Sequence, residues 1–130
     1  MKYNPLKAPD PKRWLNTDEM DRSSAVIAYH KRAGVELPSE QVHAFFHVVI
    51  ENQAAMGDET PVAQKLLQLM KEGLDRHEAV HAIGGVLADQ VWKLMRDNAS
   101  SSTDPNDAYF KEVSGLTAQK WRDEYAETEE

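Results

Sequence analysis

The sequence contains no cysteine, and this absence removes several classes of site at once. Without thiols the chain can form no disulfide framework, no thiolate-bound metal, no iron–sulfur cluster and no cysteine nucleophile. Any metal must be bound by nitrogen and oxygen atoms. No apolar run reaches the roughly 18 residues that a membrane-spanning helix needs, and the polar, proline-rich start differs from a secretory signal. We therefore expect a cytoplasmic protein.

Positive charge is also scarce, which argues against a nucleic-acid partner. Lysine and arginine number 15 against 22 acidic residues, so the formal net charge is −7 and the isoelectric point is near 5.2. Proteins that bind phosphate backbones usually carry a basic face. We expect neither a nucleic-acid nor a membrane partner. The 130 residues, 41% of them hydrophobic, suit one domain with a modest core.

Alternation of apolar and polar residues, which marks a half-buried strand, is missing over any useful length. Apolar residues recur at helical spacing instead. The pattern predicts an all-α fold, a small bundle of about four core helices plus one or two short C-terminal helices. We divide the chain into an extended proline-rich arm over residues 1–16, a helical core over 17–97, and a loop with short C-terminal helices packed on the core over 98–130.

Capping residues and glycines set the limits of the four predicted core helices. These helices span about residues 17–33, from the cap Ser39 to Met56, from the cap Thr60 to Gly73, and, after the cap Asp75, about residues 76–97. Residues 98–103 are small and polar, which indicates a mobile loop. The end of the chain, residues 127–130, is expected to fray.

Only five histidines occur, and four of them form two pairs spaced by four residues. Residues at i and i+4 share a helix face, so His43 with His47, and His77 with His81, can each converge on one ion. Glu51 continues the first face and is a further candidate ligand. The second pair completes a His-Glu-x-x-His pattern, in which two imidazoles bind zinc and the glutamate, here Glu78, polarises a bound water.

Short connections predict that the second and fourth core helices are parallel neighbours, with the two histidine pairs facing each other at matching depths. Gly84 and Gly85 follow on the same face. Glycine inside a helix costs about 1 kcal/mol relative to alanine, so we expect these two residues to permit close approach of the second helix. His30 has no partner at helical spacing, and we expect it to be packed or at the surface rather than a ligand.

The histidine pattern predicts a small metal-binding protein, with zinc as the first choice. Nickel, copper and iron also suit imidazole and carboxylate ligands. The sequence is compatible with two forms of the site. A closed structural site would use four histidines and leave Glu78 idle, whereas a metal-dependent hydrolase would use Glu78 as the catalytic base on an unknown small substrate. A metal-free homodimeric interaction module on the Gly84–Gly85 surface, with histidines packed in the core, is the third alternative.

Two narrower interpretations are less well supported. The extended metalloprotease pattern requires a third histidine at the position of Leu87. A di-iron carboxylate site could use the Glu-x-x-His spacing of Glu40 with His43 and of Glu78 with His81. However, the first and third core helices offer no clear inward-facing glutamate.

The sequence combines His43-x-x-x-His47, Glu51-Asn52-Gln53, His77-Glu78-x-x-His81, Gly85, Trp92 and the segment from Asp104-Pro105 to Phe110. In these motifs the chain resembles a family of small bacterial proteins described as a domain of unknown function. The resemblance covers roughly residues 38–113 and implies a helical fold with two histidine pairs, without an established activity. In similar proteins the acid after the first pair lies one place later, at the position of Asn52.

Overall fold

The computed structural model describes residues 1–97 and 104–125. Within those ranges it contains seven α-helices and no β-strand, which confirms the predicted all-α bundle. The predicted loop at 98–103 and the predicted frayed end at 127–130 lie outside the described residues. The helices are α1 (Pro11–Leu15), α2 (Glu19–Arg32), α3 (Glu40–Ala55), α4 (Val62–Lys71), α5 (Arg76–Asp97), α6 (Pro105–Gly115) and α7 (Ala118–Tyr125), with a 3-10 turn at Gly57–Glu59 before α4.

Predicted caps begin the two helices that carry the histidine pairs. The Ser39 hydroxyl accepts a hydrogen bond from the Val42 amide at 3.3 Å and starts α3. The Asp75 carboxylate accepts one from the Glu78 amide at 2.7 Å and starts α5. Gly73, between α4 and α5, has a φ of 110°, a backbone angle that favours glycine. These local signals fix where each histidine pair falls within its helix.

The N-terminal arm is not wholly extended, and this corrects the prediction for residues 1–16. Asp10 caps a short helix by accepting a hydrogen bond from the Arg13 amide at 3.0 Å, and Pro11 fits its first turn. Trp14 on this helix is buried and donates through Nε1 to the Asn52 side-chain oxygen at 2.8 Å. The arm is thereby fixed against α3.

Two hydrophobic clusters hold the bundle together, and α3 contributes to both. The smaller cluster joins the arm and α1 to α2 and α3 through Tyr3, Trp14, Ala25, Val26, Ala44 and Val48. The larger one contains residues of the five helices from α3 to α7, among them Ile50, Leu69, Ile83 and Trp121. The histidines lie where α2, α3 and α5 meet, beside the junction of the two clusters. No helix of the described ranges is long and apolar enough to cross a membrane.

Helices α3 and α5 pack against each other in opposed rather than parallel directions. Glu51, late in α3, binds Arg76 at the start of α5, whereas His43, early in α3, lies beside His81 one turn into α5. The parallel prediction assumed a regular up-down-up bundle. Packed helices can also cross at steep angles, so two short connections do not have to return α5 to the direction of α3.

Candidate metal centre

Five imidazole rings meet where α2, α3 and α5 come together. Helix α2 contributes His30 from its last turn, α3 contributes His43 and His47, and α5 contributes His77 and His81. Neighbouring ring centroids lie between 4.4 and 5.7 Å apart. Every histidine of the sequence therefore belongs to one cluster.

Four of these rings can offer nitrogen atoms that all lie within 4.8 Å of one another, namely His30, His47, His77 and His81. The Nε2 atoms of His47 and His81 are 3.1 Å apart. Two imidazole nitrogens on one tetrahedral zinc ion, each about 2.0–2.1 Å from it, lie roughly 3.3 Å apart. The spacing in the cluster therefore fits the ligands of a single ion.

The Nε2 atom of His77 is buried and forms no hydrogen bond with any residue that the structure describes. A buried polar atom without a partner costs about 1–3 kcal/mol. The ring of Tyr29, on α2, presents an aromatic surface to the His77 ring, and the two ring centroids are 5.7 Å apart. Coordination of an ion by this nitrogen would recover the missing interaction, so the residues present fit a metal.

A backbone contact sets the orientation of His30. Its Nδ1 lies 2.9 Å from the Val26 carbonyl oxygen, which can only accept, so Nδ1 carries the hydrogen. If the ring is neutral, its Nε2 carries no hydrogen and can accept from the Nε2–H of His43, which lies 3.1 Å away. Metal-bound histidines usually donate their other ring N–H to a carbonyl or carboxylate. His30 already has this arrangement.

A chain of buried hydrogen bonds orients His47 in the same way. Tyr3 donates its hydroxyl hydrogen to Glu51 at 2.6 Å, so the Nδ1 of His47, 3.1 Å from the Tyr3 hydroxyl, must donate to that oxygen. Burial and then the negative charge of Glu51 raise the pKa of Tyr3, which keeps its hydroxyl protonated. The Nε2 of His47 is left as an acceptor inside the cluster.

Glu51 lies behind His47 and outside the group of converging ligand atoms. Its fully buried carboxylate accepts two hydrogen bonds from Arg76, at 2.7 and 2.8 Å. Arg76 also donates to the Pro5 carbonyl at 3.0 Å. Turning the carboxylate toward a metal would leave a buried guanidinium unpaired. In the structure Glu51 supports His47 through Tyr3, and its role as a ligand stays a prediction.

Glu78, predicted as the base of the His-Glu-x-x-His pattern, lies on the exposed side of α5. Its carboxylate accepts a hydrogen bond from the Asp75 amide at 2.9 Å, while Asp75 accepts one from the Glu78 amide. This reciprocal pair is a capping box. Glu40 forms an ion pair with Lys31 at 3.9 Å and does not belong to the group of converging ligand atoms. Among the described residues, neither carboxylate of the Glu-x-x-His spacing therefore converges with the histidine nitrogens.

The environment keeps the four imidazoles of α3 and α5 uncharged at neutral pH. Burial, followed by the neighbouring imidazoles, lowers the pKa of His43 to about 4 and that of His81 to about 3. Burial lowers the pKa of His47 and His77 as well. Neutral imidazole is the form that binds metals. These four rings can therefore bind a cation without first releasing a proton from a charged ring.

A pocket of about 200 Å³ opens beside the cluster, between α3 and α5. Gly84 was expected to let α3 approach closely, but a Cβ atom at Gly84 would meet no atom within 4 Å. The glycine leaves open space instead of a backbone contact. The pocket is lined by His43, Phe46, His47, Val80, His81, Gly84, Gly85 and Ala88.

Sequence reasoning assigned no ligand role to His30, which has no histidine partner at helical spacing. The available signal was the short connector, residues 33–39, because two helices joined by a short loop fold back on each other. The last turn of α2 then lies against the first turn of α3, and His30 meets His43. In this arrangement His30 joins His47, His77 and His81, while His43 stands between His30 and the pocket.

The fold and the site define a small helical bundle with a cluster of imidazoles between three helices. Residues 16–114 match the family described as a domain of unknown function, DUF1841, and the chain belongs to this family. The match begins after Tyr3 and Trp14, so the arm that supports His47 lies outside it. No curated protein and no solved structure matches the chain.

Proposed function

We propose that this protein binds one transition-metal ion through His30, His47, His77 and His81. The observation that carries the proposal is the buried Nε2 of His77, which has no partner among the described residues and lies within 4.8 Å of three other imidazole nitrogens. Zinc is the proposed ion, because it favours four nitrogen ligands in a tetrahedral arrangement and needs no redox partner. Nickel, copper and ferrous iron are the other ions suited to imidazole.

The hydrogen bonds behind the ligands support this assignment. His30 donates through Nδ1 to a carbonyl and His47 donates to Tyr3, so both rings keep Nε2 available inside the cluster. Outer partners of this kind raise the basicity of the ligand and fix its orientation. An imidazole cluster that served only to pack the core would not require two rings with the same tautomer directed at a common region.

The position of Glu78 bears on the alternative of a metal-dependent hydrolase. A base for hydrolysis must reach a water on the metal, and this carboxylate caps α5 on its exposed side. We therefore favour a metal centre without hydrolysis by Glu78. The homodimer through Gly84 and Gly85 stays a prediction. The two glycines also line the pocket beside the histidines, which is a reason for their presence other than a dimer interface.

Metal analysis of the full chain, purified without a metal-affinity tag, tests the proposal. We expect about one equivalent of metal per chain, together with a higher melting temperature after addition of zinc, since an ion that binds only the folded state stabilises it. Less than about a tenth of an equivalent, without stabilisation by zinc or nickel, would contradict it.

A further inference from the structure

The pocket beside the histidines has the composition of a binding site for one small ligand. Its volume of about 200 Å³ is below the roughly 300 Å³ at which pockets for drug-sized ligands begin. Three of its lining residues, His43, His47 and His81, belong to the cluster, and two of these are proposed ligands. A molecule in the pocket would therefore lie next to the ion.

The charge of the proposed site indicates the sign of that molecule. Four neutral imidazoles bring no negative charge, and no carboxylate of the described residues shares the group of converging ligand atoms. The buried carboxylate behind His47 is that of Glu51, and Arg76 neutralises it at 2.7 Å. Besides Glu51, the carboxylates that act on His77 are those of Asp75 and Glu78, which are exposed. The two positive charges of a divalent ion would thus be only weakly compensated in a partly buried site, where unpaired charge is costly. An anion from solvent would offset that cost.

His43 supplies a hydrogen-bond donor at the same place. Without metal, its Nε2–H donates to the Nε2 of His30 at 3.1 Å. If His30 uses that nitrogen to bind an ion, the N–H of His43 loses its acceptor. His43 also lines the pocket, so an oxygen atom there could become the new acceptor.

We propose that this pocket receives a small carboxylate, which binds the ion with one oxygen as a fifth ligand and accepts a hydrogen bond from His43. The inference rests on the proposed metal site. The walls formed by Phe46, Val80 and Ala88 would contact the short apolar part of the ligand. The space at Gly84, where a Cβ would meet nothing within 4 Å, is the room that the ligand occupies.

The test uses the full chain loaded with cobalt(II), whose visible spectrum responds to a change in its ligands. Acetate is the probe, and methylammonium, of similar size and opposite charge, is the control. We expect acetate to change the spectrum in a saturable manner and methylammonium to leave it unchanged. A spectrum that does not respond to acetate would overturn this inference while leaving the metal site intact. A failure to bind cobalt would overturn the metal site itself, and the inference with it.

Variants of α5 locate the ligand. In Gly84→Leu the added side chain fills the pocket, so we expect cobalt to bind as in wild type and the affinity for acetate to fall about tenfold or more, the size of an overpacking penalty. Ala88→Leu narrows the same wall and provides a second variant if Gly84→Leu does not fold. Asp89→Leu, at an exposed position of the same helix, is the matched control and should bind acetate normally. Undiminished acetate binding by both pocket variants would overturn the assignment of the site.

Discussion

The histidine cluster has two sides that differ in how tightly the protein holds them. On the supported side, His47 is backed by Tyr3, Glu51 and Arg76, which are buried and joined by hydrogen bonds of 2.6–3.1 Å. On the pocket side, His43 and glycine residues border open space. A site held rigidly on one side and accessible on the other suits a centre that retains its ion and exchanges a ligand.

The two carboxylates predicted for the site, Glu51 and Glu78, have different partners in the structure. Glu51 is on the supported side, where Arg76 binds both of its oxygens. Glu78 is in the first turn of α5 and caps the helix. Neither carboxylate belongs to the group of converging ligand atoms. The difference between the two sides can be tested by variants, from the largest expected effect to the smallest.

Glu51→Leu should have the largest effect, because it removes one partner of a fully buried ion pair. Arg76 would keep its charge without a carboxylate, and breaking a buried pair in this way costs about 3–5 kcal/mol. The free energy of unfolding of the metal-free protein, measured with urea, checks this. A loss below about 1 kcal/mol, the usual value for a surface pair, would show that the supported side is not rigid.

His77→Ala should abolish metal binding with a smaller effect on the metal-free fold. The variant removes the buried Nε2 that has no partner among the described residues. We expect the affinity for zinc to fall by more than about 100-fold, beyond the 10–100-fold cost of losing an outer partner. Competition titration with a zinc chelator measures it. Wild-type affinity in this variant would remove His77 from the ligand set.

Tyr3→Phe should weaken metal binding by about tenfold, because it keeps the buried ring and removes only the hydroxyl that accepts from His47. The same titration measures the affinity. Tyr29→Phe is the matched control, since this tyrosine lies next to His77 through its ring. Equal affinities of the two variants would show that the Tyr3 hydroxyl does not position His47.

His43→Ala should separate the two sides of the cluster. The residue does not belong to the four whose nitrogens converge, so we expect the zinc affinity to change less than about threefold. This change is smaller than the roughly 10–100-fold loss that follows removal of an outer partner of a ligand. Acetate binding to the cobalt-loaded protein should weaken by about fivefold, since one hydrogen bond contributes roughly 1 kcal/mol. Loss of the metal in this variant would instead make His43 a ligand.

Glu78→Gln should have the smallest effect. Glutamine can replace glutamate in a capping box, so the melting temperature should stay nearly unchanged, with a loss below about 0.5 kcal/mol. Metal content should also match wild type. A large loss of metal from this variant would place Glu78 at the ion and return the hydrolase to consideration.

Much of the helical framework could be predicted from the sequence, because helix signals are local. Apolar spacing and caps at Ser39 and Asp75 act within about one turn, and α3 and α5 begin where these caps predict. The pairing of His43 with His47, and of the two α5 histidines, is local in the same way. The arm was predicted less well, since the helix α1 depends on a single cap at Asp10.

The composition of the site was decided by tertiary packing. His30 reaches the cluster because α2 folds back on α3, and Glu51 is withdrawn from it because Arg76, 25 residues away, binds its carboxylate. Tyr3 supports His47 across 44 residues, a separation that no periodicity encodes. Helical spacing fixes which side chains share a face, so the sequence alone determined the two histidine pairs. Which faces meet depends on the packing angles of the helices, and this is why the opposed crossing of α3 and α5, and with it the pocket at Gly84, emerged only from the folded chain.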